Sequence, residues 1–185
     1  MSMNLNHHFL IAMPQMGDPV FSGTLTYLVQ HDEQGALGLI VNRPLNLNLE
    51  EVFESSELSG YSPRTGSKPV YHGGPVAQEQ GFILHPPTEQ TWISSLSNEQ
   101  LVLTTSRDML EAIAQDEGPE RFLFCLGYSG WSPGQLEEEL KENAWLTVEA
   151  NEAIIFQDDE VGKYQHALSD LGIDLATLSG HGGLA

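Results

Sequence analysis

The sequence is poor in cysteine, in basic residues and in long apolar runs, and each shortage excludes something. Cys125 is the single cysteine, so no intramolecular disulfide can form, which suits a reducing compartment. Seven Lys and Arg stand against 26 Asp and Glu, a formal net charge of −19. The seven, Arg43, Arg64, Lys68, Arg107, Arg121, Lys141 and Lys163, are scattered, with no two adjacent. Affinity for nucleic acids and anionic membranes comes largely from Lys and Arg neutralising phosphates. Direct binding to nucleic acid is therefore not expected, nor is a membrane role. No apolar run approaches the roughly 20 residues that a membrane helix needs. The stretch Met1–Gly17 has no basic region, and its apolar run Phe9–Met13 is too short for a secretion signal, so the chain reads as cytoplasmic.

What the sequence does contain is enough apolar material to fold. Hydrophobic residues make up 40% of 185, a length that suits one domain with its own core. No repeat or linker divides the chain, so residues 1–185 read as a single domain, with Ser59–Ser67 as a surface loop. Short β-rich runs dominate: His8–Met13, Thr24–His31, Ala36–Val41, Pro69–His72, Gly81–His85, Leu101–Thr105, Arg121–Gly127 and Ala153–Phe156. The second and third, joined through Asp32–Gly35, predict a hairpin. Helices are predicted where capping patterns precede apolar spacing. Asn48–Glu51 has capping-box spacing, Ser106 precedes Met109, Leu110 and Ile113, and Ser132-Pro133-Gly134-Gln135 opens a helix with Leu136 and Leu140 inward. Val161, Tyr164, Leu168 and Leu171 share one helical face, with Gly172 as C-cap. Strands and helices mix without strict alternation, which favours α+β over a doubly wound sheet.

Several stretches together resemble one bacterial family. They are HFLIAMPQMGDPVFSGTLTYLVQH, GALGLIVNRP, VYHGGPV with GFILHPP, LTTSRDMLEAIA, LGYSGWSPGQLEEELKENAWL and YQHALSDLGID. Spread in order over nearly the whole chain, they resemble the AlgH/YqgE family. The resemblance implies a compact α+β domain, a mixed β-sheet curled into a flattened barrel with helices packed outside. It also implies a link to transcriptional regulation without an established activity or cofactor. The sequence departs from the family pattern at Val29-Gln30, where members often carry Cys-Glu, so a thiol role there does not carry over. It departs again at Tyr164, where Trp is usual.

No residue pattern specifies a reaction, and no catalytic residue, metal ligand or cofactor is assigned. The segment Gly127–Trp131 follows an apolar run and precedes a helix signal, but Trp131 fills the place where a nucleophile elbow at Ser129 needs a small residue. It reads as a tight turn aiming Trp131 at the core. His31, His72 and His85 fit no zinc spacing, and Cys125 reads as a small buried hydrophobe. Glu137, Glu138 and Glu139 read as a solvated helix stretch, the alternative being that Glu139, on the face of Gln135, holds a neighbouring loop. One site stands out. Arg43 precedes Pro44, which restricts it to an extended backbone, and its guanidinium suits a carboxylate or phosphate. The strand-end turn His72-Gly73-Gly74 and the segment Tyr128–Trp131 with Gln135 complete a candidate ligand-binding set, provided that the strand ends converge. The expectation is a non-enzymatic regulator or adaptor acting through an unidentified protein or small-molecule partner. The alternative is an enzyme or binding protein for a small anion, anchored by Arg43, with His72 or Glu139 as acid or base.

Overall fold

The computed structural model describes residues 4–12, 23–157 and 160–172. Its architecture is mixed α+β. Strands β1 (His8–Ile11), β2 (Leu25–Asp32) and β3 (Gly35–Ile40) are followed by β4 (Pro44–Asn48), helix α1 (Leu49–Ser55) and the single turn α2 (Pro63–Gly66). Then come β5 (Pro69–His72), β6 (Val76–His85), β7 (Ser95–Ser97), β8 (Val102–Thr104) and α3 (Arg107–Ala114). The chain continues through β9 (Leu123–Trp131), α4 (Gln135–Lys141), β10 (Leu146–Glu149), α5 (Glu152–Ile155) and α6 (Glu160–Asp170). The main path of the sheet is β10-β1-β2-β3-β9-β6-β8-β7, with β5 against β9 and β4 against β5.

The expected hairpin forms as β2–β3, antiparallel, with a bulge between Leu28 and Gln30. Bulges leave a residue out of the ladder, and here the free carbonyl belongs to Val29. Asn98, in the turn between β7 and β8, donates its side-chain N–H to Val29 O at 3.0 Å and to the Tyr27 hydroxyl at 2.8 Å. The far end of the sheet thus reaches back to β2, and the sheet curls into a half-barrel. Phe9 and Tyr27 from one end share a core cluster with Leu101 and Leu103 from the other. Ile154, Ile155, Tyr164, Ala167 and Leu168 from α5 and α6 complete that cluster. Buried Lys163 donates to Val41 O at 2.9 Å and lies 4.3 Å from the Tyr71 ring centroid, and the Tyr164 hydroxyl donates to Ala12 O at 2.6 Å. The opposite face is covered twice. Helices α1 and α3 bury Leu49, Phe53, Met109 and Ile113 on Val70, Ile83 and Phe124, and α4 buries Leu136 with Trp131, Trp145, Leu10 and Leu28.

Five local expectations need correction. The segment Gly127–Trp131 is no turn: β9 runs on to Trp131, because Ala36, Leu37 and Gly38 of β3 pair with Trp131, Gly130 and Ser129. Ala153–Phe156 is not a strand. The Asn151 side chain accepts the Ala153 N–H and starts α5 instead, so a local cap overrides the β-branched composition. Ser59–Ser67 contains α2, capped by the Ser62 hydroxyl with Pro63 at its first position. Helix α4 starts from Gly134 (φ +79°) rather than Ser132, although Gln135 Oε1 still accepts the Ser132 N–H, the reciprocal half of the expected box. Asn48 and Ser106 occupy N-cap positions without capping through their side chains. Ser106 is bonded to Asp108, whose Oδ1 accepts the Met109 N–H. The short strands β4, β7 and β10 were not signalled. Met13 and the side chain of Val161 lie outside the described residues.

His85 shows how a buried polar group is satisfied here. Its Nδ1 lies 2.7 Å from Pro86 O and its Nε2 2.8 Å from the Thr104 hydroxyl. A carbonyl only accepts, so Nδ1 carries the hydrogen and Nε2 accepts from Thr104. Burial holds this imidazole below its ordinary value of 6.5, against the opposing bond to Pro86. The unfolded chain therefore takes up a proton that the folded chain refuses, and this contribution to stability is lost as pH falls through the interval below 6.5. We expect nitrogen NMR shifts to show the neutral Nδ1–H tautomer at pH 7. We also expect stability to decline on acidification from pH 6.5, less steeply in His85→Gln.

Candidate functional site

The expected site depended on three strand ends meeting, and two of them do. β6 takes one edge of β9, pairing from Leu123 to Tyr128. On the other edge β5 runs parallel beside Cys125 and Leu126, and β3 runs antiparallel beside Ser129 to Trp131. The C-terminal ends of β3 and β5 therefore meet head to head at Gly127. The chain leaving β3 brings Arg43 O to the His72 N–H at 2.8 Å. Burial, and secondarily the Arg43 charge, lower the His72 pKa from 6.5. The glycines have a different role from the one anticipated. Gly73 N–H donates to Leu126 O, and Gly73 O accepts from Ile40 N–H and from the Ser129 hydroxyl at 3.3 Å. A Cβ on Gly73 would stand 2.3 Å from Gly127 O, and one on Gly74 2.2 Å from Tyr128 O. These residues let two backbones touch, and the Gly73 amide is not available as a donor. Gly127 has φ +81° and breaks the alternation of β9. Cys125 and Tyr128, three positions apart, both face the inner core.

Trp131 and Gln135 belong to a separate assembly. The Trp131 and Trp145 indoles donate to Glu139 Oε1 at 2.9 and 2.8 Å, and Gln135 Nε2 donates to Oε2 at 2.9 Å. One carboxylate thereby fastens α4 to the end of β9 and to the segment entering β10, so Glu139 takes the alternative loop-holding role and not the solvated position expected first. The sequence did not single out Trp145. Its signal was an isolated Trp six residues after Glu139. With three N–H donors on its two oxygens, Glu139 is occupied as a structural acceptor.

Other reactive groups are also engaged inside the fold. Ser129 is buried and bonded to Gly73 O. Burial raises the Cys125 thiol to about 12, opposed by Lys163, so the nucleophilic thiolate is suppressed at neutral pH. His31 Nδ1 accepts the Leu5 N–H at 3.1 Å. Among the described residues no group of three or more His, Cys, Asp or Glu is arranged to hold a metal ion.

An open cleft of about 560 Å³ lies between α1 and the start of α3, over β6 and β9. Its floor is Leu47, Ile83, Phe124 and Leu126, and its walls carry Val52 and Leu110. Gly81 keeps the floor low, since a Cβ there would stand 2.7 Å from the Phe124 ring. Exposed Glu51, Glu79 and Arg107 form the rim. Arg107 straps the helices together, donating to Ser56 O at 2.7 Å and to Glu111 at 3.3 Å. The sequence signal was an apolar stripe wider than the buried face: Met109 and Ile113 are fully covered, while Leu110 beside them is half-exposed. None of the expected site residues Arg43, His72, Gly73, Gly74, Tyr128, Trp131 and Gln135 lines this cleft.

Comparison with known proteins places these features. A family model described as AlgH-like matches residues 9–176. A UPF0301 protein of Thiobacillus denitrificans is 51% identical over 185 residues, covering 100% of this chain and 99% of the relative. A UPF0301 protein of Paraburkholderia phymatum is 48% identical over 184 residues, covering 99% and 96%. The solution structure of the AlgH protein from Pseudomonas aeruginosa superposes with a TM-score of 0.81 at 46% identity, covering 100% of this chain and 98% of that one. A crystal structure of a Corynebacterium diphtheriae protein, 17% identical over 96% of this chain and 93% of its own, shares the fold with a TM-score of 0.73.

Two outcomes follow from the geometry. Arg43→Gln should raise the His72 titration midpoint towards 6.5 without reaching it, because burial is the larger cause; proton NMR of the imidazole reads this directly. Glu139→Ala strands two buried indole N–H groups and should cost about 1.5–3 kcal/mol by denaturant unfolding, the range for bonds to a charged acceptor. It should also change tryptophan fluorescence in the native state.

Proposed function

The chain belongs to the AlgH-like family, and we propose that it acts as a cytoplasmic, single-domain adaptor, binding a protein partner in the α1–α3 cleft without catalysing a reaction. The observation that carries this reading is the cleft's anatomy: an apolar floor, helical walls and an exposed charged rim, the arrangement of an interface core with a polar border. Acidic Glu51 and Glu79 on the rim of a chain of net charge −19 favour a partner segment that sets an apolar anchor beside basic residues. Any influence on transcription is exerted through that partner, because the scarcity of Lys and Arg disfavours direct contact with DNA.

Arg43 beside His72 supports a second reading, a small-anion anchor at the meeting of β3 and β5. It draws on Arg43 and His72, since Gly73 and Gly74 are engaged where two backbones meet and Tyr128 faces the inner core. Trp131 and Gln135, held in the Glu139 assembly, stand apart.

The test begins with partners recovered from the native cytoplasm and ends with purified components. Leu110→Glu places a charge in the cleft wall and should weaken the purified complex about tenfold or more, the loss expected of an interface anchor. Arg43→Gln should leave it unchanged. Equal binding by Leu110→Glu would remove the cleft from the interface, and loss on Arg43→Gln alone would favour the second reading.

A further inference from the structure

Seven Lys and Arg serve the whole chain, and three of them, Arg64, Lys68 and Arg121, line one cavity of about 730 Å³. It opens between α2, the end of α3 and the segment entering β9, and shares no lining residue with the α1–α3 cleft. Lys68 Nζ lies 5.4 Å from the Phe122 ring centroid, and the Arg121 guanidinium lies 5.6 Å from that of Phe156. Ring contacts of this kind orient a cation while leaving its charge in place. Arg121 also pairs with Glu152 at 3.7 Å. The carboxylates in the lining are Asp116 and Glu120. Asp116 already accepts the Thr65 hydroxyl at 2.6 Å, which in turn accepts from the Ser62 hydroxyl at 3.1 Å.

A recess of about 100 Å³ adjoins this cavity through the shared residues Lys68, Glu120, Arg121 and Phe122. Its remaining wall includes Tyr71, Phe124 and Phe156. It is smaller than the roughly 150 Å³ cavity that encloses benzene, so it receives part of a ring or a short apolar group. A cationic chamber opening on an aromatic recess combines orienting charges with apolar contact, as small-molecule sites do.

We propose that Arg64, Lys68 and Arg121 bind a small amphiphilic anion, with its phosphate or carboxylate head among the cations and its apolar body against Phe122 and Phe156. The proposal does not rest on the adaptor reading: the cationic chamber shares no lining residue with the α1–α3 cleft, and Phe124 alone borders both that cleft and the recess.

Titration with phenyl phosphate, benzoate and inorganic phosphate at low salt, followed by amide NMR, tests it. Phenyl phosphate or benzoate should shift Arg64, Lys68, Arg121 and Phe122 saturably, and the tighter of the two identifies the head group. Inorganic phosphate should bind the same residues about tenfold more weakly, a difference of about 1.4 kcal/mol. Replacing both Lys68 and Arg121 by Gln should lower affinity about tenfold or more, and exposed Arg64→Gln, which leaves the fold undisturbed, should lower it about threefold. Arg107→Gln should have no effect. Shifts confined to other residues, equal binding by the Arg64 variant, or inorganic phosphate binding as tightly as the aromatic anions would overturn the proposal.

Discussion

The rest of the structure depends on a contact between two backbones that only glycine permits. β9 has two edges and three ladder partners, so one edge must be divided. β5 holds its first half and β3 its second, and the seam falls at Gly127, opposite Gly73 and Gly74. A Cβ on Gly127 would stand 2.4 Å from Gly74 O, and one on Gly73 2.3 Å from Gly127 O; both distances are well inside van der Waals contact. Gly73 joins the three strands, donating to β9 through Leu126 O while accepting from β3 through the Ile40 N–H. Without this junction the β1–β3 side and the β5–β8 side would have no common strand.

That junction also determines which faces carry which chemistry. Alternate residues of β9 supply the inner core through Leu123 and Cys125 and the outer core through Phe124 and Leu126. The left-handed residue Gly127 then shifts the phase, so Tyr128 stays inside and Trp131 reaches the α4 side. The pair Arg43 and His72 lies at the seam, the Glu139 assembly beyond it, and the α1–α3 cleft over the first half of the strand. The cationic cavity sits where the chain enters that strand. One element therefore spaces four polar or open regions along the molecule.

The parts legible in sequence were those dictated by local chemistry. The Asp32–Gly35 turn between two β-rich runs gave the hairpin, and Tyr164, Leu168 and Gly172 gave α6 and its stop. The α+β class and the curled sheet also stand. What was not legible depended on partners far along the chain. Gly127 and Gly130 are ordinary turn formers by type, and only pairing with β3 shows them to be strand residues. Arg43 and His72 come together because β3 and β5 meet end to end along one edge of β9, an arrangement that strand ends alone do not indicate. The internal use of the Gly73 amide required knowing that those ends meet inside a sheet rather than at its rim. The cleft and the cationic cavity had no motif at all, since their residues come from separate segments of the chain whose proximity is tertiary.

A strand central in space and late in sequence also orders the molecule's assembly. On the ribosome β3, β5 and β6 emerge long before Leu123–Trp131, and the edges that β9 will fill stay without their ladder partner until then. The nascent chain must pass through that interval with open strand edges, the condition under which chains associate wrongly. The same acidity that discourages nucleic-acid binding places like charge on neighbouring nascent chains during that interval, and so opposes their pairing.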